Sequence, residues 1–139
     1  MRKLALIAAA ALAAAGMAAP ARAAAVPVNC ATNYCVNWQL NSASCGSRCL
    51  EYTSQVEWVS NPSPKRFARG HIVCKISTGT QTETRDGGWV TSLLLWSAAH
   101  CQTPYVVLRA GWQVKKTSSG AVTTVWGCNP CPAAVPRRG

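Results

Sequence analysis

The sequence predicts an all-β domain: a small antiparallel β-sandwich or partly closed barrel of about six strands, stapled by disulfides, behind an irregular Cys-rich N-terminal segment. Three observations carry this. Short period-two runs rich in Val, Thr and Trp recur between turns marked by Gly, Pro and Asn. Beyond the first residues, no stretch repeats its apolar positions at the 3.6-residue period of an amphipathic helix. The 139 residues also hold eight cysteines, an even number that an exported chain pairs oxidatively.

The elements follow in order. Arg2 and Lys3 precede an apolar run from Leu4 to Ala15, which Gly16 and Pro20 end before Ala21-Arg22-Ala23. This is the pattern of a secretory signal peptide over 1–23, cut before Ala24, and it is too short for a membrane span. The expected mature chain of 116 residues carries 11 basic and 4 acidic side chains, a net of +7. It contains no integral membrane segment, and its expected location is secreted or periplasmic. A single disulfide-bonded domain is expected over 24–131, with a flexible Pro/Arg-rich tail over 132–139.

Residues 24–50 read as irregular and cross-linked, with one helical turn near 44–50. Period two begins at 52–60, which sets Val56 and Trp58 on one face. Residues 61–70 form a loop with two prolines, and 71–78 (HIVCKIST) form a strand. Gly79 turns the chain into an exposed edge strand over 81–85. Asp86-Gly87 then signals a type I′ hairpin into 89–96 (WVTSLLLW), the most buried-looking strand. Residues 97–103 connect, with one helical turn, to a long strand over 105–116, bent or bulged at Gly111. A turn at 117–120 leads to the last strand, 121–127.

Cys30, Cys35, Cys45, Cys49, Cys74, Cys101, Cys128 and Cys131 are expected to form four bridges, with at least one joining the 30–49 cluster to 128–131, because closing a long loop constrains the unfolded chain most. Paired thiolates at 45/49 and 128/131 have zinc-like spacing, but export argues against a metal site, and no cofactor is expected. Cys128-Asn129-Pro130-Cys131 resembles the dithiol of thioredoxin-like oxidoreductases. That motif needs a following helix, for which Pro132, Pro136 and the end of the chain leave no room, so a structural bridge is expected.

Function is less legible. Ser97-Ala98-Ala99-His100-Cys101 resembles the segment around the catalytic histidine of trypsin-like serine proteases. The one Asp of the chain, Asp86, precedes His100, and no Gly-Asp-Ser-Gly-Gly follows, so protease chemistry is excluded. His71 and His100 are the two histidines, and a small basic nuclease would use both as acid and base. Lys65, Arg66 and Arg69, with His71 beside them, form the densest cationic cluster, to which Arg109, Lys115 and Lys116 add charge. Of the six tryptophans, Trp89 and Trp96 bracket the apolar run as expected core, whereas Trp38 and Trp112 are the expected exposed stacking faces.

The leading expectation is a non-catalytic binding protein for an anionic polysaccharide or envelope surface, acting through Lys65, Arg66, Arg69, His71, Trp38 and Trp112. Nucleic acid would be bound without sequence preference. A protein target contacted by loop 61–70, as protease inhibitors and toxin-like effectors do, is the alternative.

Overall fold

The computed structural model describes residues 28–137 apart from 32, 33, 63 and 94. The expected leader, 1–23, lies outside the described residues. The chain is all-β, with eight strands: β1 (Val28–Cys30), β2 (Cys35–Gly46), β3 (Cys49–Trp58), β4 (Phe67–Ile76), β5 (Thr82–Asp86), β6 (Trp96–Gln102), β7 (Tyr105–Lys115) and β8 (Thr123–Cys128). They form two antiparallel four-stranded sheets, ordered β1-β2-β3-β6 and β5-β4-β7-β8. The architecture is a sandwich and not a closed barrel. No helix among the described residues is long and apolar enough to cross a membrane.

Side-chain alternation explains the layering. In the first sheet Val36, Trp38 and Leu40 of β2 face inward with Ser54, Val56 and Trp58 of β3 and Ser97, Ala99 and Cys101 of β6. In the second sheet Ala68, Gly70, Ile72 and Cys74 of β4 face them with Ala110, Trp112 and Val114 of β7. Two buried hydrogen bonds cross the layer: the Ser54 hydroxyl donates to the Gly111 carbonyl at 2.8 Å, and the Gly70 amide donates to Ser97 Oγ at 3.0 Å.

Gly70 sits where the two backbones come closest. A Cβ there would press into the Ser54 carbonyl and lie 3.0 Å from both the Ala99 nitrogen and the Ser97 oxygen. Gly70→Ala is therefore expected to cost about 1–3 kcal/mol through overpacking. A lowered urea midpoint at unchanged slope would show it, and an unchanged midpoint would mean the sheets separate freely.

Several expectations are corrected. Strands number eight where about six were expected, because the Cys-rich segment is ordered and not irregular: β2 runs for 12 residues, with Asn37, Gln39 and Asn41 between its inward side chains. The helical turn near 44–50 is instead the tight turn between β2 and β3, where Arg48 adopts φ 56°. Residues 89–96 are not a buried strand. Leu93, Leu95 and Trp96 are exposed, and β6 supplies the strand that was expected to be a connection. The inward positions of β6 are small, consistent with Trp38, Trp58 and Trp112 filling much of the interior from the other strands.

Asp86-Gly87 makes no hairpin. The chain continues along β4, with Asp86 opposite His71 and Val90 opposite Ala68, so four steps on one side match three on the other. One extra residue makes this a bulge. The irregularity expected at Gly111 is present, as a register shift between Ala110 and Gly111.

The disulfides are Cys30–Cys35, Cys45–Cys49, Cys74–Cys101 and Cys128–Cys131. None joins the two cysteine clusters. Three are local staples, and Cys74–Cys101 ties β4 to β6 across the sandwich. The tail is not free along its whole length: the Ser42 amide donates to the Pro136 carbonyl at 2.7 Å, and Arg137 bridges to Ser42.

Candidate functional site

Charge separates by sheet. Strands β1, β2, β3 and β6 contain no Lys or Arg, and the outer face of their sheet carries Glu51 and Glu57. Strands β4, β5, β7 and β8 hold Arg69, Lys75, Arg85, Arg109 and Lys115, with Lys65, Arg66 and Lys116 at strand ends. Among the described residues, eight of the ten Lys and Arg thus lie on or beside the second sheet, while Arg48 in the β2–β3 turn and Arg137 beside β2 accompany Glu51 and Glu57 on the first.

The outer face of the second sheet arranges these cations on aromatic rings. Period two along β4 points Phe67, Arg69 and His71 outward, and pairing sets Lys115 and Gln113 of β7 beside Phe67 and Arg69. The bulge after β5 returns the chain to Ala68, with reciprocal amide–carbonyl bonds between Val90 and Ala68 of 2.8 and 3.0 Å, so the preceding Trp89 falls on the same outer face.

The Arg69 guanidinium lies 4.3 Å from the Trp89 ring centre, and Lys115 Nζ lies 4.2 Å from it. Lys115 and Lys65 also approach the Phe67 ring, at 5.5 and 5.7 Å, and Arg109 stacks 5.0 Å from Trp126. Such pairs occur roughly once per 70–80 residues in proteins, so their crowding here marks a specialised surface. Each ring lowers the freedom of a long cationic side chain, and a fixed cation loses less entropy when an anion arrives.

Hydrogen bonds complete the order. Arg69 Nε donates to Gln113 Oε1 at 2.9 Å, Gln113 Nε2 donates to Thr124 Oγ1 at 3.0 Å, and Arg69 Nη2 meets Asp86 Oδ2 at 3.4 Å. The other Asp86 oxygen accepts from His71 Nδ1 at 2.5 Å, and the His71 ring packs 5.2 Å from Trp126. Asp86 therefore fixes both Arg69 and His71. Lys115, Lys65 and Arg109 form no ion pair with a carboxylate among the described residues.

The predicted site residues divide. Lys65 and Arg69 do share the face, whereas His71 lies on that side of the sheet but is buried, 7% exposed, against Trp126 and Asp86. Arg66 does not, because it lies buried beside the start of β4. Trp38 and Trp112 are not exposed stacking faces. Trp112 is buried in the core, and the half-buried Trp38 packs against it at 6.2 Å between ring centres while its indole donates to Ser54 Oγ at 2.9 Å.

Of the two tryptophans expected inside, Trp89 is half-buried on the cationic face and Trp96 is 58% exposed on the first sheet. The histidines do not converge. His71 faces outward from the second sheet, whereas His100 faces outward from the first, bonded to Thr53 Oγ1 at 3.1 Å and 3.7 Å from Glu51. Two imidazoles on opposite outer faces share no scissile bond.

Phe67, Trp89, Trp126 and Asp86 were missed as members of the site. The period of 71–78 continues back through Arg69 to Phe67, and that was the available signal. Gly70 hid it by reading as loop, although it marks close sheet packing. No group of three or more potential metal ligands occurs among the described residues. No protein-family model, curated protein or solved structure matched the chain.

Proposed function

We propose that the protein is a non-catalytic binding protein for an acidic polysaccharide, held on the outer face of the second sheet by Lys65, Arg69, Arg109 and Lys115. The observation that carries this reading is the cation–arene face itself, set on a molecule whose opposite strands lack any Lys or Arg. The cations already engage the rings of Trp89, Phe67 and Trp126, which favours recognition of anionic groups over stacking of bases. A β-sheet face is flat and repeats along each strand about every 6–7 Å, a spacing suited to an extended polymer with recurrent carboxylates.

Loop 61–70 offers less as a substrate-like inhibitor segment. Arg66 is buried, and Phe67–Gly70 belong to β4.

The test is a tryptophan-fluorescence titration with a polyuronate and a matching neutral glucan. Arg69→Glu and Lys115→Glu are each expected to weaken polyuronate binding by tenfold or more, whereas Gln39→Glu on the other sheet changes it less than twofold. Raising salt from about 50 to about 200 mM should remove most of the affinity. Equal binding of the neutral glucan, or charge reversals without effect, would overturn the reading.

A further inference from the structure

Arg66 has a setting of its own. It is 6% exposed, and its Nε is buried without a hydrogen-bond partner. No carboxylate pairs with it among the described residues. A guanidinium keeps its proton at any pH a protein meets, so the charge is permanent. Retaining it in a poorly solvated position without a counter-charge costs stability, and a purely structural side chain would do better as Met or Leu.

Arg66 lines a half-open cleft of about 720 Å³ at one end of the sandwich, between the start of β4, the end of β7 and the start of β8. Tyr34, Val114 and Val125 give it apolar walls that adjoin the core, while Thr123, the half-buried Lys115 and the exposed Lys116 stand with them around the cleft. No lining residue is acidic. The volume lies within the range typical of small-molecule sites, and mostly apolar walls with a few placed polar groups are their usual composition.

We propose that this cleft binds a small organic carboxylate with an apolar body, its head paired with Arg66 and its body against Tyr34, Val114 and Val125. One planar guanidinium matches one carboxylate through two parallel N–H···O bonds. A phosphate or sulfate without an apolar part would satisfy the arginine and leave the walls unused. A neutral or cationic amphiphile would cover the walls and leave the arginine unpaired. The cleft adjoins the polyanion face and shares Lys115 with it, but Arg66 itself has no part in the cation–arene pairs.

The experiment is calorimetric titration of the oxidised protein with octanoate, 1-octanol, octylammonium and inorganic phosphate. Octanoate is expected to bind saturably at one site, at least tenfold tighter than each of the others, and to raise the unfolding temperature. Arg66→Met should fold and lose octanoate binding by tenfold or more, and Arg66→Lys should keep part of it.

The head-group series needs only the natural protein, so it can overturn the carboxylate preference even if Arg66→Met fails to fold, and Arg66→Lys then tests the arginine itself against Lys115 and Lys116, which also line the cleft. Octanol or octylammonium binding as tightly as octanoate overturns the proposal, as does phosphate matching it or Arg66→Met binding octanoate within twofold of the natural protein. None of these results depends on whether polyuronate binds.

Discussion

Replacing Cys74 and Cys101 together by alanine is expected to lower the unfolding free energy by about 3–4 kcal/mol, the largest loss from any of the four bridges. The two residues lie 27 apart in sequence, and the loop-entropy relation gives about 3.5 kcal/mol for that separation. The other three bridges span separations of 3 to 5, where the same relation gives about 2 kcal/mol or less. Location adds to length. Cys74 and Cys101 are 1% and 2% exposed, so alanine there also leaves unfilled space between the sheets.

Urea unfolding of the four double-alanine variants, each compared with the natural protein, checks the ranking. Equal losses for Cys74/Cys101 and Cys128/Cys131 would show that the bridge across the sandwich adds nothing beyond a local staple. The expected result also has a functional side. Local staples hold turns and strand ends, whereas this bridge holds the two sheets together, so its loss should lower the cooperativity of unfolding as well as the midpoint.

Legibility from the sequence followed a physical divide. Alternation identified β3, β4, β5, β7 and β8, because Val, Ile, Thr and Trp at every second position fit a half-buried pleated surface. It missed β2 because Asn37, Gln39, Asn41 and Ser42 look like loop composition, although Val36, Trp38 and Leu40 keep the period.

It misjudged 89–96 in the opposite direction. A run of Leu and Trp reads as interior, yet an interior position also needs room, and β6 turns Ser97, Ala99 and Cys101 inward while Trp96 faces solvent. Whether a Trp is core or surface depends on what stands across the sandwich, and one strand's sequence does not contain that. For the same reason the cationic cluster was visible but its arenes were not. Phe67, Arg69 and Lys115 meet through register, and Trp89 joins them through a bulge that the Asp-Gly signal disguised as a hairpin.

Trp58 links the core to that face, and its substitution is expected to separate the two. The ring is 1% exposed, packs edge-on against Tyr34 at 5.7 Å, and donates from Nε1 to the Val90 carbonyl at 3.0 Å. Trp58→Ala should cost about 3–5 kcal/mol, a large part of the stability of a domain this size. Trp58→Phe keeps an aromatic ring but loses the indole donor. The Val90 carbonyl still accepts from the Ala68 amide, so the cost in stability should be only about 1 kcal/mol.

Binding should respond more than stability does. The indole bond pins Val90 from inside the core, and Trp89, the ring under both Arg69 and Lys115, is the next residue. With Val90 held on one side only, Trp89 samples more positions and the two cations lose their shared support. Trp58→Phe is therefore expected to weaken polyuronate binding several-fold at a temperature where the variant is fully folded, with a salt dependence like that of the natural protein, because the charges themselves are unchanged. Fluorescence titration beside thermal unfolding of the same sample checks both parts. Undiminished binding by a folded Trp58→Phe would mean that the bulge holds Trp89 without help from the core, and the support for the cationic face would then lie wholly in the β4–β7 pairing.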